Sequence, residues 1–168
     1  MNRVVLHNNN REGTMAYFDY EEDGANKGQN EQITVLEGLS EEDWQMIIRN
    51  AQTIPFDKGD ILLKEGEYDD AVYIVVSGQV EVIGGASFGR QKRLATIDEG
   101  SVFGEVAFFD NQPRSASVRA ISEGRVLRLS HNGFDKIFAW NPKLAQQFLF
   151  DLGRILAYRF RSEFPYKI

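Results

Sequence analysis

The stretch Phe103 to Ser117 reads FGEVAFFDNQPRSAS. It holds one glutamate, Glu105, and one arginine, Arg114, in a run that is otherwise apolar, small or neutral apart from Asp110. Such a pair can satisfy itself as an exposed salt bridge, which contributes only about 0–1 kcal/mol. It can also hold a ligand. Gly104 lets the backbone approach a bound molecule closely, and EVAFF can form one short helical turn whose first amides point free, an arrangement that binds phosphate. The partial charge of that turn contributes only about 0.3–2 kcal/mol. Arg114 adds a full charge and a planar fork matched to two phosphate oxygens. Glu105 cannot bind phosphate, because two anions repel, but it can accept from a sugar hydroxyl and hold Arg114 in place. One carboxylate, one guanidinium and a set of free amides suit a phosphate beside a ribose.

The elements that must position this pair are legible on both sides of it. Upstream, LEGLSEEDWQMIIRNAQTIPF gives a helix capped by Ser40, with Asp43 as the capping-box partner and Leu39 and Trp44 at staple spacing. Trp44, Ile47, Ile48 and Ala51 form its apolar face, and the helix is expected to run to about Gln52, with Pro55 preventing continuation. From Phe56 to about Ser130 the pattern changes to short β-rich runs: DILLKE, AVYIVVS, QVEVI, KRLATI, SVRAIS and RVLRLS, separated by turn residues. Runs of this length and spacing indicate a sandwich or barrel rather than a parallel sheet with crossover helices. The loop GGASFGRQ lacks the Gly-Lys-Ser/Thr ending of a nucleotide P-loop and reads as a hairpin connection. Downstream the helical period returns. A short helix around residues 134–139 should stop at Asn141, and Asn141 followed by Pro142 should start a longer one. Leu144, Phe148, Leu152, Ile155 and Leu156 make one stripe of it, while Phe150, Tyr158 and Phe160 lie off that stripe.

Composition narrows the function classes. With 168 residues and a formal net charge of −6, the chain is one domain with some excess and offers no basic face to a phosphate backbone. Nucleic acid is therefore not an expected partner. Cysteine is absent, which removes thiol metal sites and disulfide frameworks, and no apolar run approaches a membrane span. The expected location is the cytoplasm, with no membrane partner. Only His7 and His131 are available as imidazole ligands, one in the N-terminal segment and one after the last strand, so neither a metal site nor a metal enzyme is expected. No Ser-His-Asp or paired-carboxylate arrangement stands out, and the chain is expected not to be an enzyme and to need no cofactor. Residues 1–30 show no period and are expected to be a flexible tail, with Tyr17, Phe18 and Tyr20 as its aromatic island.

With these elements around it, FGEVAFFDNQPRSASVRA resembles the phosphate-binding cassette of the cyclic nucleotide-binding domains found in catabolite-activator-type regulators, kinase regulatory subunits and gated channels. The shared pattern is Phe-Gly-Glu, an aliphatic residue, Ala, then Pro-Arg, a small residue, Ala and Ser or Thr. Six residues separate Ala107 from Arg114, as in the common cassette length. The upstream FDKGDILLKEGEYDDAVYIVVSGQVEV resembles that family's first barrel strands, and the likeness covers about residues 34–160. Phe108 and Phe109 depart from the more usual aliphatic residues.

The resemblance implies a mainly β fold, an eight-stranded antiparallel β roll of jelly-roll type with one helix before it and two after, over residues 31–168. It implies a ligand, cAMP or cGMP, and a binding set of Gly104, Glu105, Val106, Ala107, Arg114, Ser115 and Ala116. Arg114 would pair with the cyclic phosphate and Glu105 would accept from the ribose 2′-hydroxyl. The backbone around Gly104, Ala107, Ser115 and Ala116 would line the sugar-phosphate, and the side chains of Phe103, Val106 and Val118 would pack the barrel. Ser115 could address either phosphate or a guanine amino group. The alternative is a barrel of the same fold that has lost its ligand and serves as a protein-interaction module. Few residues follow the last helix, so the expected output is a sensor acting on a partner protein, as one piece of a larger product, or through a homodimer at the C-terminal helix. The segment from Pro142 to Phe160 is the expected lid, with Phe148, Phe150, Tyr158 or Phe160 available to stack on the base.

Overall fold

The computed structural model describes the backbone of residues 2–7, 17–22, 35–87 and 90–163, and the side-chain environments of residues 35–84 and 93–162. Strands β1 (Asn2–His7) and β2 (Tyr17–Glu22), inside the segment read as a tail, pair antiparallel. Helix α1 (Glu41–Asn50) begins as its cap residue dictates: the Asp43 amide donates to Ser40 Oγ, which in turn donates to the Asp43 carboxylate at 2.8 Å. Glu41, Glu42 and Asp43 occupy its first turn, where the helix dipole favours anions.

The helix stops at Asn50 rather than Gln52, because the chain turns directly into β3 (Gln52–Phe56). This strand contains Pro55. Its tolerance there follows from topology, since among the described residues β3 pairs only with β10 (Gly124–Leu129) and lies at a sheet edge. The remaining strands are β4 (Ile61–Leu63), β5 (Val72–Ser77), β6 (Val80–Ser87), β7 (Arg90–Ile97), β8 (Val102–Phe103) and β9 (Ser117–Ala120). They form two four-stranded antiparallel sheets, ordered β3-β10-β5-β8 and β4-β9-β6-β7. The result is the expected eight-stranded jelly-roll-like arrangement, although the two sheets do not close into a barrel. GGASFGRQ lies largely within β6 and β7, which pair with each other.

The position of β5 explains why its sequence is apolar throughout rather than alternating. Tyr73 and Val75 face the other sheet, in a cluster with Phe56, Phe103, Val118 and Val126. Val72, Ile74 and Val76 face the helices, in a second cluster with Trp44, Ile47, Leu129 and Ile137. A strand buried on both sides loses the period-2 signal.

Two helices close the second cluster. Helix α3 (His131–Trp140) is capped by Ser130 and so starts three residues before the position expected from its apolar period. Helix α4 (Pro142–Glu163) starts where expected, with Asn141 Oδ1 accepting from the Leu144 amide. Leu144, Ala145, Phe148, Leu152 and Ile155 are buried along one face, which makes the first two-thirds of α4 part of the core. Asp151, also buried, accepts from the Leu36 amide at 2.9 Å and ties the chain ahead of α1 to α4.

Candidate functional site

Strand β8 delivers the chain to Gly104, whose φ of +78° ends the strand and opens the six-residue helix α2 (Glu105–Asp110). A side chain could not replace this glycine without strain, both for that φ and for space: a Cβ there would lie 2.8 Å from Arg114 Nη1 and 3.2 Å from the Ala71 carbonyl. The first intrahelical bond runs from the Phe108 amide to the Gly104 carbonyl, so the earlier amides of α2 are left for other acceptors.

Arg114 is only 3% exposed. Its Nη1 donates to Gly104 O at 2.8 Å, and its Nη2 donates to Asp69 Oδ2 at 2.6 Å and to Ala71 O at 2.7 Å. Backbone bonds to Gly66 and Glu67 fix its position in the chain, and the guanidinium carbon lies 5.6 Å from the Tyr73 ring centre. Tyr73 in turn stacks on Phe103 at 5.0 Å. Among the described residues, Arg114 Nε is buried and has no acceptor.

Asp69 anchors the network from the opposite side. It accepts from the Tyr73 hydroxyl at 2.7 Å and from Arg128 Nη2 at 2.5 Å as well as from Arg114. Burial opposes ionisation of Asp69, but the bonds from Tyr73, Arg114 and Arg128 outweigh it and hold the carboxyl at about 2. The same geometry, burial first and then the neighbouring carboxylate, pushes the Tyr73 hydroxyl up to about 12. An open polar hollow of about 350 Å³ lies beside Asp69 and Arg128, lined by Tyr68, Asp70, Asn111 and Gln112 but by neither Glu105 nor Arg114.

Glu105 and Arg114 do not pair with each other. Glu105, 4% exposed, accepts at Oε1 from Arg159 Nη1 at 2.6 Å, and Arg159 Nη2 donates to the Val102 carbonyl at 2.6 Å. Arg114 is held by Asp69, from the β4–β5 loop, rather than by Glu105, which pairs with Arg159 instead.

The rest of the candidate set divides by environment. Ala107 is buried against the core, Ala116 is half-buried and Ser115 is exposed. Phe103 and Val118 pack between the sheets as expected, but Val106 does not: it is 39% exposed, because the short turn of α2 points it outward. The aromatic departures are explained by packing. Phe108 stacks on His131 at 4.4 Å and meets Phe134 and Phe148 edge-on, so it fills the core beneath the cassette, while Phe109 faces outward. His131 Nε2 donates to the Phe108 carbonyl at 2.7 Å and joins the end of α2 to the start of α3. Phe148, expected among the residues able to stack on a base, belongs to this aromatic core and is 2% exposed, whereas Phe150, Tyr158 and Phe160 are exposed.

Asp69, Tyr73, Arg128 and Arg159 were not evident as site residues from sequence. Asp69 lies in GEYDD, which reads as a turn, and its arginine partners are 45 and 59 residues away. Among the described residues no group of three or more histidine, cysteine or acidic side chains could hold a metal ion, and no helix is long and apolar enough to cross a membrane.

A model of the cyclic nucleotide-binding domain matches residues 53–141, which include both sheets' inner strands, Asp69, Glu105 and Arg114. The chain belongs to the cyclic nucleotide-binding domain family. It is 29% identical over 127 residues to a CRP-like cAMP-activated global transcriptional regulator of Mycobacterium tuberculosis, covering 76% of this chain and 55% of the regulator. It is 34% identical over 107 residues to a cAMP-dependent protein kinase regulatory subunit of Emericella nidulans, covering 64% of this chain and 25% of that protein. Among solved structures, a cyclic nucleotide-binding domain from Methylobacillus flagellatus superposes with a TM-score of 0.70 at 27% identity, over 80% of this chain and 76% of that one. The domain therefore spans about half or less of the length of these curated relatives.

Proposed function

We propose that this domain binds a 3′,5′-cyclic nucleotide, cAMP or cGMP, as a regulatory ligand rather than as a cofactor or substrate. The observation that carries the reading is the buried Nε–H of Arg114, a cationic donor without an acceptor beside terminal nitrogens that both donate to the protein. Buried donors are rarely left unmatched, and an anionic oxygen would complete this one. In the proposed complex the cyclic phosphate lies against Arg114 and the backbone of Gly104, Val106, Ala107, Ser115 and Ala116. The ribose 2′-hydroxyl donates to Glu105. Affinity in the micromolar range corresponds to about −8 kcal/mol.

The signal leaves through α4. Its first two-thirds are locked in the core, so motion belongs to the turns beyond Ile155, where Tyr158 and Phe160 are exposed. The reader of that motion is a partner protein or a second copy meeting the outer face of α4, where Phe150 is also exposed. A net charge of −6 argues against nucleic acid as the partner of these residues. The cytoplasm is the proposed site of action.

One observation favours the rival reading of a protein-interaction module without nucleotide: Glu105 already has a cationic partner in Arg159. Calorimetric titration with cAMP, cGMP and 2′-deoxy-cAMP separates the two. Binding of one parent nucleotide with clear loss for the deoxy analogue supports the proposal, and no heat with any ligand at millimolar concentration supports the module.

A further inference from the structure

The outermost strand of a sheet leaves half of its backbone donors and acceptors without a neighbour, and folded proteins blunt such edges. Among the described residues the two sheets end in four edge strands. Three are blunted: β3 contains Pro55, β4 has three residues and β8 has two. The fourth, β7, has eight residues and no proline, and among the described residues it pairs only with β6. Arg93, Leu94 and Ala95 are exposed in succession, so the middle of this strand is open to solvent.

The charge of β7 runs against that of the chain. It contains Arg90, Lys92 and Arg93, whereas the chain has a formal net charge of −6. Arg119 of β9 adds to the same side by sharing Glu81 of β6 with Arg93. Arg93 Nε donates to Glu81 Oε2 at 2.7 Å, and Arg119 Nη2 donates to Oε1 at 2.5 Å. Glu81 is buried beneath them, while the side chains of Arg93 and Arg119 are 64% and 43% exposed. Four cations against one carboxylate leave three positive charges along this edge. The acids that follow, Asp98 and Glu99, lie past the end of the strand, and Asp98 accepts from Gln79 Nε2.

Cations on an edge deter indiscriminate pairing, and so does the bulge at Leu94, which the ladder to β6 skips between Arg93 and Ala95. What they exclude is specific. A second copy pairing through the same strand would set cations against cations, and an uncharged strand would gain nothing from them. An acidic strand would find both its backbone groups and its carboxylates matched. Leu94, 48% exposed, offers it an apolar contact as well.

We propose that the β7 edge is a docking site for an extended acidic segment of a partner protein, which adds to the β4-β9-β6-β7 sheet as a fifth strand with its carboxylates beside Arg90, Lys92 and Arg93. The site is separate from the outer face of α4 and does not depend on nucleotide.

The test titrates the full chain against a fluorescent peptide of about ten residues that alternates glutamate and valine, with lysine-valine and glutamate-proline peptides of the same length as controls. The glutamate-valine peptide is expected to bind, less tightly as salt is raised, and the double variant Arg90→Glu with Lys92→Glu is expected to weaken it about tenfold or more. Arg93 is left in place because it holds the buried Glu81. Melting curves show whether the double variant is folded, and Arg90→Gln with Lys92→Gln serves if it is not. Hydrogen exchange separates strand addition from adsorption: alternate amides of β7 should slow when the peptide binds, and those of β3 and β4 should not. Equal binding of either control peptide, unchanged affinity in the double variant, binding without slower β7 exchange, or no binding at millimolar peptide would each overturn the proposal. Slowing of β7 exchange that grows with protein concentration in the absence of peptide would place a second copy at this edge and overturn it too.

Discussion

Replacing Asp69 by asparagine tests whether the cassette arginine is held as the structure shows. The carboxylate lies 2.6 Å from Arg114 and 2.5 Å from Arg128, and accepts from the Tyr73 hydroxyl at 2.7 Å. Burial alone would raise its pKa, but these three bonds prevail and lower it from 3.8 to about 2. The folded value lies below the unfolded one, so the ionised group adds stability above about pH 4 and that contribution is lost as pH falls through about 2. A shift of this size corresponds to roughly 2.5 kcal/mol before screening. The side chain is 20% exposed, and screening by solvent reduces the figure to about 1–2 kcal/mol. The substitution would also strand the Arg114 guanidinium, whose side chain is 2% exposed, against an uncharged partner. Removing one member of a buried pair is costly, and with the Gly104 and Ala71 carbonyls still in place the total comes to about 2–4 kcal/mol. For a chain of this size that is roughly 5–12 °C in Tm near neutral pH. Melting curves of Asp69→Asn and wild type should differ by that amount at neutral pH and converge in acid. A difference of only about 1 °C, or a gap that stays constant as pH falls, would contradict the assigned network.

Other consequences follow from single contacts. Gly104→Ala forces a Cβ to within 2.8 Å of Arg114 Nη1 at a φ of +78°; it should lower stability by about 1–3 kcal/mol and abolish nucleotide binding, measured by melting and calorimetry. Phe148→Ala empties the aromatic centre shared with Phe108 and Phe134 and should cost about 3–5 kcal/mol in denaturant unfolding. Tyr73, pushed up to about 12 by burial and by Asp69, should remain protonated when the exposed tyrosines ionise, so Tyr73→Phe should leave the early part of an alkaline absorbance titration unchanged.

The sequence was most informative where local chemistry decides structure. Ser40 and Asp43 announce α1, Asn141 and Pro142 announce α4, and Gly104 with Glu105 marks a turn that only glycine can open. It was least informative where topology overrides local preference. QTIPF forms an edge strand despite its proline, and β8 is two residues long, too short to carry a period. Within the site, Glu105 and Arg114 were legible because they share one short segment. Their partners were not: Asp69 comes from a loop before β5, Arg128 from β10 and Arg159 from α4, and only the packing of two sheets against the helices brings these charges together. Phe148 was misplaced for the same reason, since an amphipathic stripe does not reveal whether its aromatic faces a core or a ligand.

The most direct measurement of nucleotide capture follows the buried, unmatched Nε–H of Arg114 by side-chain ¹⁵N NMR, with its resonance identified by its disappearance in Arg114→Lys. On addition of cAMP or cGMP the resonance should shift as a phosphate oxygen becomes its acceptor, and 2′-deoxy-cAMP should produce the same shift only at higher concentration. A resonance that stays in place at saturating cyclic nucleotide would contradict the account.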